Sequence, residues 1–269
     1  MKIGIVSDVH GRKEKLYQAL LRSGFIYADW SRAPKTHLIQ IGDLVSLGYD
    51  EQEADFYEQT FDLFDETLIG NHEIPAFHFD PHIVMFDGFY ARPSADRWTG
   101  TNVVKDNGWK IGADPAATMM VRSNFFKGKY KVATSVGKWL ITHAGVSPFW
   151  QKKLDKIDIP REASAYVEYL ENKFIELQLA QRNFALIDGI PSNRGGPYKS
   201  NVGGILWLDF NTLRAGYSDV HLPQLVCHSH QSSPPTFVGN NLVCIDTNKG
   251  VCVLTTEDNG ESFTSVVIN

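Results

Sequence analysis

Apolar and polar positions follow a regular pattern in the amino-terminal part of the chain. Two stretches, Arg12–Ser23 and Asp50–Glu66, repeat apolar residues at helical spacing, so each predicts a helix. Short apolar runs lie before, between and after these stretches, and each predicts a strand: Lys2–Val6, Thr36–Ile41 and Thr67–Ile69. This alternation predicts an α/β unit whose functional site lies at the carboxyl ends of the strands.

The stretch from Ile74 to Lys131 has no such regularity. It is rich in aromatic residues and is interrupted by arginine, glycine and proline, so we expect irregular structure with some short helices. Two interpretations stay open for this segment. It is either an insert that lies over the functional site or a set of long loops with an ordinary core beneath them.

Regular patterns return after Lys131. Arg161–Asn183 predicts the longest helix, because apolar residues recur along one stripe, and a glycine-rich polar loop follows at residues 191–204. Further strands are predicted at Lys138–Thr142, Ile205–Asp209, Leu222–Cys227, Asn241–Asp246, Val251–Thr255 and Phe263–Ile268, with hairpin turns at Gly239–Asn240 and Asn259–Gly260. No linker or repeat divides the sequence, so we expect one domain over residues 1–269, with the segment at about 74–131 as a candidate insert.

The composition fits a folded domain with a substantial core. Of the 269 residues, 43% are hydrophobic and 12% are aromatic. The formal net charge of -5 disfavours broad binding to a nucleic-acid backbone, which requires a basic surface. A small phosphorylated ligand held by local cations remains compatible with this charge.

The cysteines and the hydropathy pattern bear on the compartment. Cys227, Cys244 and Cys252 form no Cys-x-x-Cys pair and predict no disulfide framework, which favours a reducing compartment. The amino-terminal apolar run is too short for a signal peptide. A helix needs about 20 apolar residues to span a bilayer, and no segment reaches that length. We therefore expect a cytoplasmic protein with no membrane partner.

Side chains that bind metal ions follow most of the predicted strands. They are Asp8 and His10 after the first strand, Asp43 after the second, Asn71 and His72 after the third, and later His143, His228 and His230. Carboxylate and imidazole together suit Mn, Fe or Zn better than Mg or Ca, because imidazole prefers the softer ions. We interpret Asp43 as a bridge between two metal ions, since one bridging carboxylate explains why the other ligands are spread over the chain.

Each of these features has an ordinary alternative when it stands alone. An aspartate after Gly42 is typically a helix or turn cap, and Asn71 follows a glycine as turn residues often do. His143 after an apolar strand is typical of a structural histidine, and one of His228 and His230 often faces solvent in such a pair. The hypothesis of a metal site depends on all five groups falling directly after strands.

Taken together, the five groups resemble the motifs of the calcineurin-like metallophosphoesterase superfamily. The resemblance rests on Asp8-x-His10, Gly42-Asp43, Gly70-Asn71-His72-Glu73, His143 and His228-x-His230. It implies an α/β (α+β) fold class, namely the calcineurin-like four-layer β-sandwich flanked by helices. It also implies a dinuclear metal site at the carboxyl ends of the strands.

The resemblance further implies a role for each matching position. One metal ion would be bound by Asp8, His10 and His230, a second by Asn71, His143 and His228, and Asp43 would bridge the two. His72 would contact the substrate and assist the leaving group. The implied cofactors are two divalent or trivalent metal ions, with Mn favoured and Fe or Zn as alternatives.

A closer similarity is to the branch that holds Ser/Thr protein phosphatases, bacterial or phage relatives and symmetrical diadenosine-tetraphosphate hydrolases. It rests on the motifs above together with Ile141–Pro148 and Ile205–Asp209. The chain departs from this branch after Asp43, because Ser46 and Leu47 stand where the branch has an aspartate and a phosphate-binding arginine. This departure disfavours protein phosphatase activity.

A second cation could replace the arginine that is lost at Leu47. Our candidate is Arg194 in the glycine-rich loop, with Lys199 behind it, because a loop of this kind can approach a ligand closely. The alternative for Arg194 is an exposed arginine that is merely solvated.

These features predict a metal-dependent phosphoesterase acting on phosphomonoesters or nucleotide polyphosphates. Two cations lower the pKa of a bridging water, the resulting hydroxide attacks phosphorus, and His72 can protonate the departing oxygen. The expected catalytic residues are His72 and Asp43, and a small phosphorylated substrate would contact Arg194, His72 and Asn71. Two alternatives stay open: a protein phosphatase-like enzyme or nucleic-acid phosphodiesterase, and a catalytically silent metal-binding protein.

Overall fold

The short apolar runs of the sequence form the strands of two main sheets. The computed structural model describes residues 1–45, 53–73, 84–86, 89–91, 115–180, 204–216, 218 and 221–269. The strands are β1 Lys2–Val6, β2 Thr36–Gln40, β3 Glu66–Leu68, β4 Val84–Phe86, β5 Phe89–Ala91, β6 Tyr130–Lys131, β7 Ala133–Val136, β8 Trp139–Thr142, β9 Gln224–Val226, β10 Thr236–Val238, β11 Leu242–Cys244, β12 Val251–Thr256 and β13 Thr264–Ile268. The helices are α1 Lys13–Arg22, α2 Glu53–Thr60, α3 Pro115–Phe126, α4 Pro148–Asp155, α5 Ala163–Ala180 and α6 Phe210–Ala215, with a 3-10 helix at Phe61–Leu63.

The first sheet has six strands in the order β13-β12-β1-β2-β3-β6. β1, β2, β3 and β6 are parallel, whereas β12 pairs antiparallel with both β1 and β13. Gln40 at the end of β2 pairs with Val6 on one side and with Thr67 on the other. The segments that follow β1, β2 and β3 therefore all leave the sheet at the carboxyl ends of the parallel strands.

The second sheet has five strands in the order β10-β11-β9-β8-β7. β11, β9 and β8 are parallel, and the two outer strands pair antiparallel with their neighbours. Val226 of β9 pairs with Cys244 of β11, and Leu225 pairs with Ile141 of β8. The segments that follow these three strands also leave at one edge. A separate antiparallel pair is formed by β4 and β5.

The two main sheets pack against each other face to face. Side chains alternate between the two faces of each central strand, so one set lies between the sheets and the other set lies on the outer face. Ile5 of β1 and Ile39 of β2 belong to one buried cluster with Leu225 of β9 and Val243 of β11. The opposite face of β1 presents Val6, which packs in a different cluster together with residues of the helices.

Helices cover the outer faces of both sheets. On the first sheet, the buried cluster joins strand residues to helix residues: Val6, Leu38, Leu16, Leu20 and Tyr57. On the second sheet, a smaller cluster joins α6 to β9 and β11: Phe210, Leu213, Val226, Leu242 and Cys244. The order helix, sheet, sheet, helix confirms the predicted four-layer sandwich. No helix in the described part of the chain is long and apolar enough to cross a membrane.

The predicted strand at Ile205–Asp209 is wrong. This segment forms a turn that is closed by backbone hydrogen bonds from Trp207 and Leu208 to the carbonyl of Gly204, at 3.0 and 3.1 Å. The four apolar side chains of 205–208 are all buried. A continuous apolar run indicates burial but does not by itself distinguish a strand from a buried turn.

The second helix is shorter than predicted, because it ends at Thr60 rather than at Glu66. A 3-10 helix follows at Phe61–Leu63, and the Asp65 carboxylate then accepts a hydrogen bond from the backbone N–H of Leu38 at 2.7 Å. That contact ties the chain to β2, so β3 begins directly afterwards. The predicted start of the helix at Asp50 lies outside the described residues.

The segment predicted to be irregular contains a regular helix, α3. Ala117, Val121 and Phe125 on this helix are buried in the core, so this part of the segment packs beneath the surface. Residues 74–83, 87–88 and 92–114 lie outside the described residues.

Candidate metal centre

Three of the predicted metal ligands have unusual backbone conformations. His10, Asp43 and His228 lie in the left-handed region, with φ of 51°, 55° and 68°. Such a conformation costs a residue other than glycine on the order of 1–3 kcal/mol and persists where surrounding contacts hold it. Contacts with the surrounding fold therefore hold these three residues in a costly backbone conformation, which sets the direction of their side chains.

Two glycines allow the loops after β2, β3 and β8 to touch. Gly42 has a φ of 103°, and a Cβ atom there would overlap Nδ1 of His143 and the backbone of Gly70. A Cβ atom at Gly70 would overlap the backbone and carboxylate of Asp43. The close approach of these loops therefore requires residues without side chains.

Asp43 lies between two groups of metal-binding side chains. Its Oδ2 atom is 3.8 Å from Nε2 of His10 and 3.5 Å from Nε2 of His143. One compact group contains His10, Asp43 and His72, and another contains Asp43, His143 and His228, with the ligand atoms of each within 4.8 Å of one another. Asp43 is the member that the two groups share.

The side chain of Asp8 adds a second carboxylate beside His10. Its Oδ2 atom is 3.9 Å from Nε2 of His10, and only 2% of the side chain is exposed. Its Oδ1 atom is 3.7 Å from Nδ1 of His143, and the buried thiol of Cys227 joins Asp8 and His143 in a third compact group. Cys227 lies behind the histidine, since its Sγ atom is 3.3 Å from Nδ1 rather than from Nε2 of His143.

The hydrogen bonds of His143 fit a metal ligand. Its Nδ1 atom is 2.9 Å from the carbonyl of Ile41 and can donate a proton there, which leaves Nε2 with its lone pair. Nε2 faces Oδ1 of Asn71 at 2.9 Å. In this tautomer two electron-pair donors face each other, and a metal ion coordinated by both would remove their repulsion.

Burial and charge shift the pKa values of the site in the direction expected for a cation site. Burial, followed by the charges of Asp246 and Asp43, raises the pKa of Asp8 well above its ordinary value. Burial and then the neighbouring His72 lower the pKa of His10 well below its ordinary value. Buried carboxylates are costly without positive charge nearby, and neutral imidazoles are ready to coordinate. The donor set therefore fits metal cations.

The family of the chain follows from a comparison with known proteins. Residues 1–234 match the family model of the calcineurin-like phosphoesterases. The chain belongs to this family. The predicted family and class are thus confirmed: this is a family of metal-dependent phosphoester hydrolases with a dinuclear centre.

Individual relatives of this calcineurin-like phosphoesterase are distant. An uncharacterized protein of Acanthamoeba polyphaga mimivirus is 31% identical over 114 residues, which cover 39% of this chain and 39% of that protein. The match thus spans well under half the length of the curated relative.

Two solved structures resemble the fold. The cold-active protein-tyrosine phosphatase of a psychrophilic Shewanella species has a TM-score of 0.54 and 18% identity, over 96% of this chain and 76% of that chain. A protein serine/threonine phosphatase from Saccharomyces cerevisiae has a TM-score of 0.47 and 13% identity, over 99% of this chain and 79% of that chain. The first of these likenesses shows a common fold.

A cavity of about 270 Å³ opens over the clustered side chains of the phosphoesterase. His72 lines it, with 20% of its side chain exposed, and its ring contacts the ring of His10 edge to face at 4.7 Å between centroids. Four further residues form a polar wall of the cavity: Asp209, Asn211, Ser229 and Gln231. The sequence analysis assigned them no role, because a polar residue beside a candidate ligand, such as Ser229 beside His228, carries no signal of its own.

His230 lies at the rim of the cavity rather than in the compact groups. Its side chain is 53% exposed, and its Nδ1 atom is 3.1 Å from Oδ2 of Asp246. Asp246 is a buried acid that the sequence analysis missed. The signal was present, since Asp246 follows an apolar run as Asp8 and Asp43 do.

Glu73 is the second residue whose importance the sequence did not reveal. Its Oε2 atom accepts hydrogen bonds from the backbone N–H groups of Asp43 and Gly70 at 3.0 and 2.8 Å, and Oε1 accepts one from Val45 at 3.4 Å. Burial, followed by the charge of Asp43, raises the pKa of Glu73 to about 8. Glu73 thus ties the loop that contains Asp43 to the loop that contains Asn71.

Four residues named in the sequence analysis lie outside the described residues. They are Ser46, Leu47, Arg194 and Lys199.

Proposed function

We propose that this chain is a metal-dependent phosphoesterase that hydrolyses phosphomonoesters or nucleotide polyphosphates, with Asp43 as the bridge between two metal ions. The observation that supports this most directly is the position of Asp43. Its buried carboxylate belongs both to the group with His10 and to the group with His143 and His228. A carboxylate with two oxygens shared by two imidazole groups suits a dinuclear centre.

The remaining ligands follow the same division. We assign Asp8, His10 and His230 to the first ion and Asn71, His143 and His228 to the second. The mixture of imidazole, carboxylate and amide oxygen favours Mn, with Fe or Zn as alternatives. When bound, the two ions supply charge neutralisation for the phosphoryl group and lower the pKa of a water molecule.

His72 is our candidate for the proton donor to the leaving group. Its backbone N–H donates a hydrogen bond to Oδ1 of Asp43 at 2.8 Å, which holds the residue at the cavity. Its ring lines the same cavity beside Asn71, where both can contact a substrate phosphate. Arg194 stays our candidate for a phosphate-binding cation, with Lys199 behind it.

The cavity supports a small phosphorylated substrate. A volume of about 270 Å³ accommodates a phosphate group and a modest leaving group. The amides of Asn211 and Gln231 on its polar wall offer both donors and acceptors to such a group. We further propose a single domain in the cytoplasm, supported by the free thiols of all three cysteines.

The test is turnover of a substrate panel by metal-stripped and metal-restored protein. Mn should restore hydrolysis of an aryl phosphate, and the ranking of a phosphomonoester, a dinucleotide polyphosphate, a phosphopeptide, a cyclic nucleotide and single-stranded DNA should identify the substrate class. Preference for the phosphopeptide or DNA would favour the alternative activities. Turnover that survives exhaustive metal removal would contradict the assignment.

Asp43→Asn provides the structural arm of this test. A bridge contacts both ions, so Asp43→Asn should lose far more metal than a change at a ligand of one ion. Elemental analysis that finds two full equivalents of metal in Asp43→Asn would remove the bridging role.

A further inference from the structure

Asp246 lies beyond the residues that match the family model, yet the fold brings it to the metal centre. It follows β11, whose end continues alongside β9 through a 2.9 Å hydrogen bond from the backbone N–H of Ile245 to the carbonyl of Val226. The carbonyl of Asp246 in turn accepts a hydrogen bond from the N–H of Gln231 at 3.2 Å. The parallel pairing therefore fixes Asp246 beside the segment that contains His228 and His230.

The Asp246 carboxylate is fully buried and has little compensation from hydrogen bonds. Neither of its oxygens has a hydrogen-bonding partner of good geometry in the part of the chain that the structure describes. The imidazole of His230, with Nδ1 at 3.1 Å from Oδ2, is the contact it does make. A buried carboxylate left in this state costs several kcal/mol unless positive charge lies nearby.

His230 for its part lacks a packed environment. About half of its side chain is exposed, at 53%, whereas His143 is completely buried. A ring with this exposure keeps much of its rotational freedom unless a specific contact restricts it. Of the two histidines, His230 is therefore the one that needs an orienting partner.

We propose that Asp246 is a positioning residue for His230, which it orients and polarises as a ligand of the first metal ion. The inference rests on the proposed function, since it takes His230 as a metal ligand. Coordination through Nε2 leaves the proton on Nδ1, and Oδ2 of Asp246 lies within hydrogen-bonding distance of that atom. A carboxylate in this position fixes the tautomer and orientation of a histidine ligand and increases its basicity.

The geometry favours positioning over direct coordination. The carboxylate of Asp246 meets the imidazole of His230, with Oδ2 at 3.1 Å from Nδ1, and among the described residues Asp246 belongs to none of the three compact groups of ligand atoms. A purely structural role is also disfavoured, because neither carboxylate oxygen of Asp246 makes a hydrogen bond of good geometry within the described part of the chain. A second buried negative charge beside Asp8 becomes useful when cations are bound.

The test measures metal binding directly. Binding of Mn to the metal-stripped protein is followed by equilibrium dialysis and elemental analysis for the wild type, Asp246→Asn, His230→Ala and the double variant. In Asp246→Asn, the ion assigned to Asp8, His10 and His230 should bind about 10–100-fold more weakly, the range that is typical for loss of such a partner. The other ion should bind nearly as in the wild type.

The double variant shows whether Asp246 acts through His230. If it does, adding Asp246→Asn to His230→Ala should cause little further loss. If the double variant loses metal affinity by the product of the two single losses, the proposal is overturned. Wild-type affinity for metal in Asp246→Asn would also overturn it. If His230→Ala itself binds both equivalents normally, the assignment of His230 as a ligand fails, which is a failure of the proposed function.

Thermal melts of the metal-free proteins separate positioning from a structural role. Asp246→Asn removes a buried charge, so its metal-free form should melt at or above the wild-type temperature, while added Mn should raise it less than in the wild type. A lower metal-free melting temperature would indicate a structural role and overturn the proposal. If Asp246→Asn is insoluble, Asp246→Ser serves in the same measurements. Asp65→Asn is the matched control, because Asp65 lies 3.6 Å from Nδ1 of His37 at the other end of the sheet and should not change metal binding.

Discussion

His72 is anchored through its backbone while its ring faces the cavity. The N–H of His72 donates to Asp43, and the ring stands among the residues that line the cavity. This arrangement leaves the imidazole of His72 facing the cavity without using it as one of the assigned ligands.

We expect His72→Asn to keep both metal ions and to lose activity unevenly. A general acid contributes about 10²–10⁴-fold where the leaving group needs a proton. The variant should therefore lose most activity on alkyl phosphates and much less on nitrophenyl phosphate, as measured by kcat/KM across leaving groups of different pKa. An equal fractional loss on every substrate, with metal content intact, would exclude the role of acid.

Glu73 makes the stability of the metal-free protein depend on pH. Its pKa is raised to about 8 in the folded protein from an ordinary 4.5. The folded state therefore holds a proton that the unfolded chain has released, so the stabilisation is complete below about pH 4.5 and is lost as the pH rises through 8. The melting temperature of metal-stripped protein should accordingly fall between pH 5 and pH 8.5.

The variant Glu73→Gln tests this origin. It should start from a lower stability, because the amide nitrogen of Gln cannot accept a backbone hydrogen bond whereas Glu73 accepts through both of its oxygens, but its fall with pH should be shallower. A wild-type melting temperature that rises over the same pH range would contradict the assignment.

Single residues of this kind are hard to predict from sequence. The positions of the candidate ligands at strand ends were predictable, because each stands directly after an apolar run and the family motifs cover them. Glu73 and Asp246 were harder to recognise. Glu73 stands in a motif and Asp246 follows an apolar run, but their importance lies in burial and in contacts with backbone or side chains far along the chain. For example, nothing in the local sequence indicates that Glu73 accepts a hydrogen bond from the backbone N–H of Val45.

The turn after β2 depends on the lack of a side chain at Gly42. We expect Gly42→Ala to reduce metal content and activity strongly, because its Cβ would push against His143 and Gly70, and overpacking of this kind costs about 1–3 kcal/mol beyond the conformational strain. Metal analysis and thermal melts measure both effects.

Gly128→Ala is the matched control for Gly42→Ala. Gly128 has a φ of 68°, and an added Cβ would meet no atom within 4 Å. This variant should show only the cost of the left-handed backbone, about 1–2 kcal/mol, with full metal content. If the two variants lose equal amounts of metal, the cost of the left-handed backbone conformation accounts for the loss, and the contact of the new Cβ atom with His143 does not.

Long elements were predicted better than short ones. α1, α5 and most strands have periodic apolar residues, and the structure places them within a few residues of the prediction. The short helices α4 and α6 were missed, although each begins at a capping residue: Ser147 accepts from the N–H of Trp150, and Asp209 accepts from that of Asn211. Helices of 8 and 6 residues are too short for a periodic stripe to stand out.

On the scale of the whole molecule, the candidate metal centre takes its residues from both sheets. Asp8 and Asp43 follow strands of the first sheet, whereas His143 and His228 follow strands of the second. The sequence predicted that each ligand follows a strand, but the division between two sheets depends on strand pairings that no local pattern specifies. The four-layer architecture was predictable through the family resemblance.

The pairing of β1 has a consequence for how the protein is made. β1 lies between β2 and β12, and Ile3 to Val6 pair with residues 253–256 of the latter. On the ribosome, the strand that precedes Asp8 and His10 therefore emerges early but keeps one unpaired edge until β12 has been synthesised. Such an edge can recruit other nascent chains. We expect the loops that hold the candidate ligands to become ordered late, so that metal is acquired after β12 has paired with β1 rather than before.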